Sequence, residues 1–372
     1  MFTNQCARRV TKRAKNLFVS LGVIFMFATL SACGTSTSGD TTGQVLAQMD
    51  TSWAIAPMTI RFAHSGANDT TDHVHYGATT FANRVSELSG GAMQVQIYSI
   101  GQLGVVSEHI TMLQRGELHM GLVENAPLTN IVPEAMWADL PYVVRCYDHA
   151  LALLNAQSQV SRWIRPLFTD NGLRILGVAH GGFRHMMNNV RPITNPNDMD
   201  GLVIRVMNSD VMLETMRAFG AEAVTLPFGD VLRTALITGE VDGNEQPLNN
   251  VYVHSLYEVQ RFLSLTGHFF DIRNFVFSEN LWQQMTPAQQ LVVLDATEYT
   301  VNRMNTRHQS QQEIVRRNIT GQNMVINELS AWGLNAFRMQ GQGVWEQFYS
   351  QIGSGNDIVG RAILEKILSY AP

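Results

Sequence analysis

The chain has 372 residues, 45% of them hydrophobic and 15% charged, with a formal net charge of −5. That length exceeds one ordinary core and favours two domains, and the composition excludes global disorder. Beyond the N-terminal segment no stretch approaches the roughly 18 continuous apolar residues of a membrane span.

The N-terminal segment is built differently. Arg8, Arg9, Lys12, Arg13 and Lys15 form a basic start, Leu17 to Leu30 an apolar run, and Leu30-Ser31-Ala32-Cys33 a small-residue close. This order is that of a secretory signal peptide over residues 1–33. The LSAC tetrapeptide resembles a bacterial lipobox, which makes Cys33 the lipid-modified N-terminus of the mature chain. Residues 34–56 open with GTSTSGDTTG, a flexible leash between anchor and folded part. With Cys6 removed and Cys33 lipidated, Cys146 is left without a disulfide partner. Removal of the signal takes away five basic and no acidic groups, which shifts the net charge from −5 to −10. So acidic a chain is unsuited to nucleic acid or an anionic membrane surface as its partner.

From residue 57 strands and helices alternate. MTIRFAH reads as a strand and Asp72 to Leu88 as a helix stopped by Gly90-Gly91. MQVQIYS is the next strand, Gly104 to Arg115 a helix, and LHMGLVE the third strand. The βαβαβ order implies a parallel sheet with helices on both faces. A second series begins near Gly182, with a strand over 183–187, then VIRVM, a helix to Phe219, AVTL, a helix to Ile237 and VDGNEQ. FLSLTGHFF and RNFVFSE supply further strands. Thr286-Pro287-Ala288-Gln289 combines a Thr cap, Pro in the first turn and a capping-box Gln, and no glycine or proline follows until Gly321. The resulting helix of about 30 residues spans roughly 45 Å, long enough to lie across two domains.

Within GLVIRVMNS, Arg205 sits in an apolar strand and shares a face with Val203 and Met207. Burying a guanidinium alone costs on the order of several kcal/mol, so an acid must meet it. Glu222, Asp230 or Glu245 could serve, or the partner could come from outside the protein. Arg184, Glu124 and Gln246 also stand at strand starts or ends, where open α/β sheets bind ligands. Enzyme motifs fail: there is no G-x-S-x-G, H-E-x-x-H, P-loop or G-x-G-x-x-G, and no metal or cofactor is expected.

Seven segments in order carry a resemblance: FAHSGANDTTDHVHYGATTFANRVSELSGG, GQLGVVSEHITMLQRGELHMGL, PEAMWADLPYV, GGFRHMMNNVRPI, DMDGLVIRVMNS, LPFGDVLRTALITGEVDGNEQPL and LYEVQRFLSLTGH. Together they resemble the periplasmic solute-binding proteins of TRAP transporters, the DctP family. The resemblance implies a two-domain α/β fold with a ligand cleft between the domains and a long helix spanning both. It assigns residues 57–181 plus about 272–311 to one domain and 182–271 plus about 312–372 to the other.

In that family the arginine matching Arg205 meets the ligand carboxylate, a task suited to a planar fork of donors. By the same match Arg184 is a second cleft arginine and Glu124 a cleft acid of members that bind hydroxylated sugar acids. Asn208, Phe228 and the pair His64-Ser65 fall on ligand-lining positions. Gln246 departs from the pattern, standing where the family places an asparagine. Pro127 and Val106 put no polar contact where sialic-acid binders carry one. The function so implied is capture of an organic acid, of sugar-acid, uronate or C4-dicarboxylate type, and its delivery to TRAP membrane subunits. The protein would be periplasmic, held to a membrane through Cys33, and would catalyse nothing. A lipid-anchored module serving a sensor or other partner is the alternative.

Overall fold

The computed structural model describes residues 55–371. The signal segment, the lipobox with Cys33 and nearly all of the 34–56 linker lie outside the described residues.

The chain enters through strand β1 (Met58–His64) and helix α1 (His73–Leu88). Asp72 starts α1 by accepting bonds from the backbone N–H groups of Val74 and His75, so one carboxylate satisfies two of the helix's orphan donors. Val74, Ala78, Phe81 and Val85 recur at three- and four-residue spacing and turn one stripe into the core. Strand β2 (Met93–Tyr98), helix α2 (Val106–Arg115) and strand β3 (Met120–Glu124) complete the first βαβαβ series. Gly116 ends α2 in the left-handed conformation at φ 73°, a position that favours glycine.

Helices α3 (Tyr147–Leu154) and α4 (Gln159–Asp170) follow, then strand β4 (Leu173–Asn188). The second series is β5 (Val203–Val206), α5 (Asp210–Ala218), β6 (Glu222–Thr225), α6 (Asp230–Thr238) and β7 (Gly243–Pro247). A short helix α7 (Leu248–Val253) leads to strand β8 (Phe262–Ser278). The chain closes with α8 (Pro287–Thr320), β9 (Val325–Glu328), α9 (Ala331–Gly343) and α10 (Asp357–Leu368).

The nine strands of the described residues form one sheet in the order β2-β1-β3-β8-β4-β7-β5-β6, with β9 pairing alongside β8. The β2-β1-β3 and β7-β5-β6 groups are parallel within themselves, as the alternating pattern implies. The two groups are joined by β8 and β4, which run antiparallel to each other from Leu173 opposite Ser278 to Asn188 opposite Phe262. Strand β3 pairs with one end of β8 and β7 with the other end of β4. Two long strands therefore pass through both halves. The sequence reading broke them into shorter pieces because every residue of β8 is buried, which removes any in-out alternation. Asp271 and Arg273 then look like a break in an apolar run, although they pair with each other and with neighbours.

Helix α8 has 34 residues and the expected capping box between Thr286 and Gln289. Its early residues Val292, Val293, Ala296 and Met304 pack with Phe62, Phe81 and Phe275 around the first half of the sheet. Val315 and Ile319, further along, pack with Met187, Leu236 and Leu263 around the second. The helix thus supports both halves. Cys146 is disulfide-bonded, against the expectation that it has no partner, and the other half lies outside the described residues.

Candidate functional site

The carboxyl ends of β1, β3, β5 and β7 converge where the two sheet halves meet, the place where open α/β sheets present ligand-binding groups. A small cavity of about 20 Å³ lies there. Six of the eight sequence-derived ligand residues line it: Ser65, Glu124, Arg184, Arg205, Phe228 and Gln246.

Behind the cavity runs a chain of alternating charges. Ser65 Oγ donates to Glu124 Oε1 at 2.5 Å, and Arg273 Nη1 donates to the same oxygen. Arg273 Nε donates to Asp271 Oδ2 at 2.7 Å, and Arg184 Nη1 to Asp271 Oδ1 at 2.6 Å. Arg184 also grips Glu245 through Nε and through Nη2, the latter at 2.9 Å, and Nη2 reaches Gln246 Oε1 at 3.4 Å. Each side chain in this chain is buried. Burial alone would push the Asp271 carboxyl up, yet Arg273 and Arg184 outweigh it and hold the group below its ordinary value. For Glu245 the balance tips the other way, and burial raises it despite Arg184. The guanidinium of Arg184 is raised, because Glu245 and Asp271 together exceed the cost of its burial.

Arg205 differs. Its Nε donates to the Leu226 carbonyl at 2.8 Å, while Nη1 is buried and has no hydrogen-bond partner. The residue is 2% exposed, and burial pulls its pKa down to about 10, which leaves it charged at neutral pH. Among the described residues no carboxylate lies within ion-pair distance. Glu245 is engaged with Arg184, and neither Glu222 nor Asp230 bridges to Arg205. Of the two answers open in the sequence, a protein carboxylate is the one the geometry lacks. Glu124 Oε2 is the matching orphan, a buried acceptor without a donor.

Phe228 stacks edge-on against His254, with ring centroids 4.7 Å apart. Gln246 Oε1 accepts from Asn250 Nδ2 at 3.0 Å. The structure brings neither His64 nor Asn208 to the wall. His64 is fully buried, its Nε2 lies 3.1 Å from His75 Nδ1, and its Nδ1 accepts from the Gly66 N–H at 3.1 Å. Desolvation lowers its pKa to about 4, so it is a neutral brace for the Ser65-Gly66 turn. The Asn208 carbonyl accepts from Asn130 Nδ2 at 3.4 Å, outside the cavity.

Sequence reasoning passed over Arg273, Asn250, Asp72 and His254, which also line the cavity. Asp72 and His254 come from opposite sides and meet at 3.3 Å. Burial works against the Asp72 carboxylate, but His254 and backbone donors bring it down to about 2. The signal that singled out Arg205, a charge inside an apolar strand, was equally present at Arg273. Among the described residues no group of His, Cys, Asp and Glu could hold a metal ion, and no helix is long and apolar enough to cross a membrane.

Two α/β halves joined by long strands and a shared helix, with an arginine-lined cavity at their junction, define the solute-binding class of protein. The family model for bacterial extracellular solute-binding protein family 7 (DctP) matches residues 62–352, and the chain belongs to that family, the periplasmic solute-binding proteins of TRAP transporters. It is 28% identical over 271 residues to the 2,3-diketo-L-gulonate-binding periplasmic protein YiaO of Escherichia coli, covering 73% of this chain and 81% of that one. A TRAP solute-binding protein from Sulfurospirillum deleyianum with bound succinate superposes with TM-score 0.78 at 27% identity, over 85% of this chain and 100% of the other. The sugar-acid-binding protein DctPAm from Advenella mimigardefordensis, in complex with galactonate, gives 0.79 at 27% identity, over 85% and 98%.

Proposed function

We propose that this protein captures a carboxylate-bearing organic acid, of sugar-acid, uronate or C4-dicarboxylate type, between its two halves and hands it to TRAP membrane subunits. The observation that carries this reading is Arg205, a buried and charged guanidinium with one donor unpartnered at the cavity wall. A ligand carboxylate supplies that partner through charge-assisted hydrogen bonds. Galactonate and succinate in the two similar structures are both carboxylates, which supports the class.

In this reading the domains divide where β4 and β8 cross, near residues 181 and 272. The protein carries out no catalysis. Ligand favours the closed arrangement only through better contacts there, and Arg205 provides one.

The test is thermal unfolding of the purified protein against a panel of carboxylic acids. A ligand at about 100 times its dissociation constant adds roughly 2.7 kcal/mol, an easily read shift. A shift with one class of acids and none with neutral sugars supports the proposal. No shift with any acid, from a preparation freed of bound solute, contradicts it.

A further inference from the structure

Resting on the carboxylate reading above, we propose that Asn250 is a positioning residue: it holds the Gln246 side chain with its amide nitrogen turned into the cavity, as a donor to the ligand carboxylate beside Arg205. A glutamine amide can present either end to a ligand, and only the nitrogen serves a carboxylate. The orientation therefore decides whether Gln246 attracts the acid or repels it.

Backbone register sets the side from which Gln246 projects. Arg205 in β5 stands opposite Asn244 in β7, and the two strands are parallel. Gln246 follows Asn244 by two residues, so it leaves the sheet on the same face as Arg205, one pleat nearer the strand end where the cavity lies. Two neighbours then fix its amide. Arg184 Nη2 lies 3.4 Å from Gln246 Oε1, and a guanidinium has donors only. An amide turned the other way would set its own N–H groups against that cation. With the oxygen on this side, Asn250, one turn into α7, donates Nδ2 to the same Oε1 at 3.0 Å.

Of the two, Asn250 makes the stronger bond. Arg184 Nη2 carries two hydrogens and also meets the Glu245 carbonyl and Glu245 Oε1, both at 2.9 Å, so its share to Gln246 at 3.4 Å is the weakest of three. Two donors thus occupy the Gln246 oxygen. Among the described residues no acceptor meets Nε2, which is left as the free donor of a buried side chain on the cavity wall. Asn250 lines the same cavity, so a direct contact between Asn250 and the ligand is the competing account.

A double-mutant cycle separates the two, read by titration calorimetry at pH 7.5 on protein freed of bound solute, with succinate and galactonate as probes. One net hydrogen bond is worth about three- to tenfold in affinity. Asn250→Leu is expected to weaken the tighter-bound acid at least threefold, and Gln246→Leu at least as much. In the Gln246→Leu background, Asn250→Leu should cost less than threefold, because the amide it orients is gone. A merely structural role for Asn250 would not make its effect depend on residue 246. Circular dichroism establishes that each variant is folded, and Asn250→Ala replaces the leucine variant should that one fail to fold. A loss below threefold on removing Asn250 from the wild type overturns the proposal. So does a loss of threefold or more in the Gln246→Leu background, which would make Asn250 a ligand contact in its own right. In both cases the carboxylate reading stands if Arg205→Met abolishes binding. If neither acid binds the wild type, both fall.

Discussion

Replacing Arg184 with methionine tests whether this residue acts on the ligand directly or holds the site together. Its guanidinium is 1% exposed and bridges Glu245 and Asp271, themselves 0% and 2% exposed at the side chain. After the substitution Asp271 keeps Arg273 at 2.7 Å, while Glu245 is left, among the described residues, with no ion-pair contact but His268 at 4.0 Å, which burial keeps neutral. Breaking a buried pair on one side costs about 3–5 kcal/mol. Glu245 can escape by taking a proton, and from an ordinary value of 4.5 that costs about 4 kcal/mol at pH 7.5, at roughly 1.4 kcal/mol per unit. The two routes agree. Urea unfolding at pH 7.5 should therefore show a loss of about 3–5 kcal/mol, shrinking as pH falls toward 5. The pair Arg184→Met with Glu245→Gln should recover most of it. A loss under about 1 kcal/mol, well below the buried-pair range, together with abolished ligand binding, would refute the structural role and make Arg184 a direct ligand contact.

Other outcomes follow from the same geometry. Burial lowers His64 and His73 to about 4 and His180 and His185 to about 3. The unfolded chain thus takes up these protons first, near 6.5, and stability should fall steadily from pH 6.5 toward 4, by up to about 1.4 kcal/mol per unit for each histidine. Asp139, raised to about 7, and Glu245, raised by burial, oppose this, but the lowered histidines outnumber them. Urea midpoints that rise between pH 6.5 and 4.5 would contradict the assignment. Gly182 has φ 88°, and a Cβ there would lie 2.3 Å from His308 Nε2, so Gly182→Ala should lower stability by about 1–3 kcal/mol by strain and crowding. An unchanged melting temperature would show that α8 yields at this crossing.

Much of the fold was legible because most elements carry local signals. The capping box at Thr286, the 3.6-residue stripe of α1 and the βαβαβ order of each half all point to what forms. The joining of the halves was not, since antiparallel pairing of β4 with β8 is set by contacts about 90 residues apart. Full burial of β8 also erases the alternation that marks a strand. At the site, Arg205 stood out because a charge in an apolar strand demands a partner. The same logic applied to Arg273, but it stood at the start of the predicted strand RNFVFSE rather than inside an apolar run. His64 was placed by motif, and only the fold shows its ring turned toward His75. Asp72 reads as the first residue of its helix and proves to be the cap, and its second contact, with His254, is invisible at a separation of 182 residues.

The measurement closest to the central claim is Arg205→Met, followed in two ways on the same preparation. Because no carboxylate among the described residues lies within ion-pair distance of this guanidinium, its removal should leave the stability of the ligand-free protein unchanged within about 1 kcal/mol, or raise it. Acid binding, read by calorimetry, should weaken at least a hundredfold. A ligand-free protein that instead loses about 3–5 kcal/mol while still binding acids would make Arg205 a structural ion-pair partner, and the carboxylate site would have to lie elsewhere.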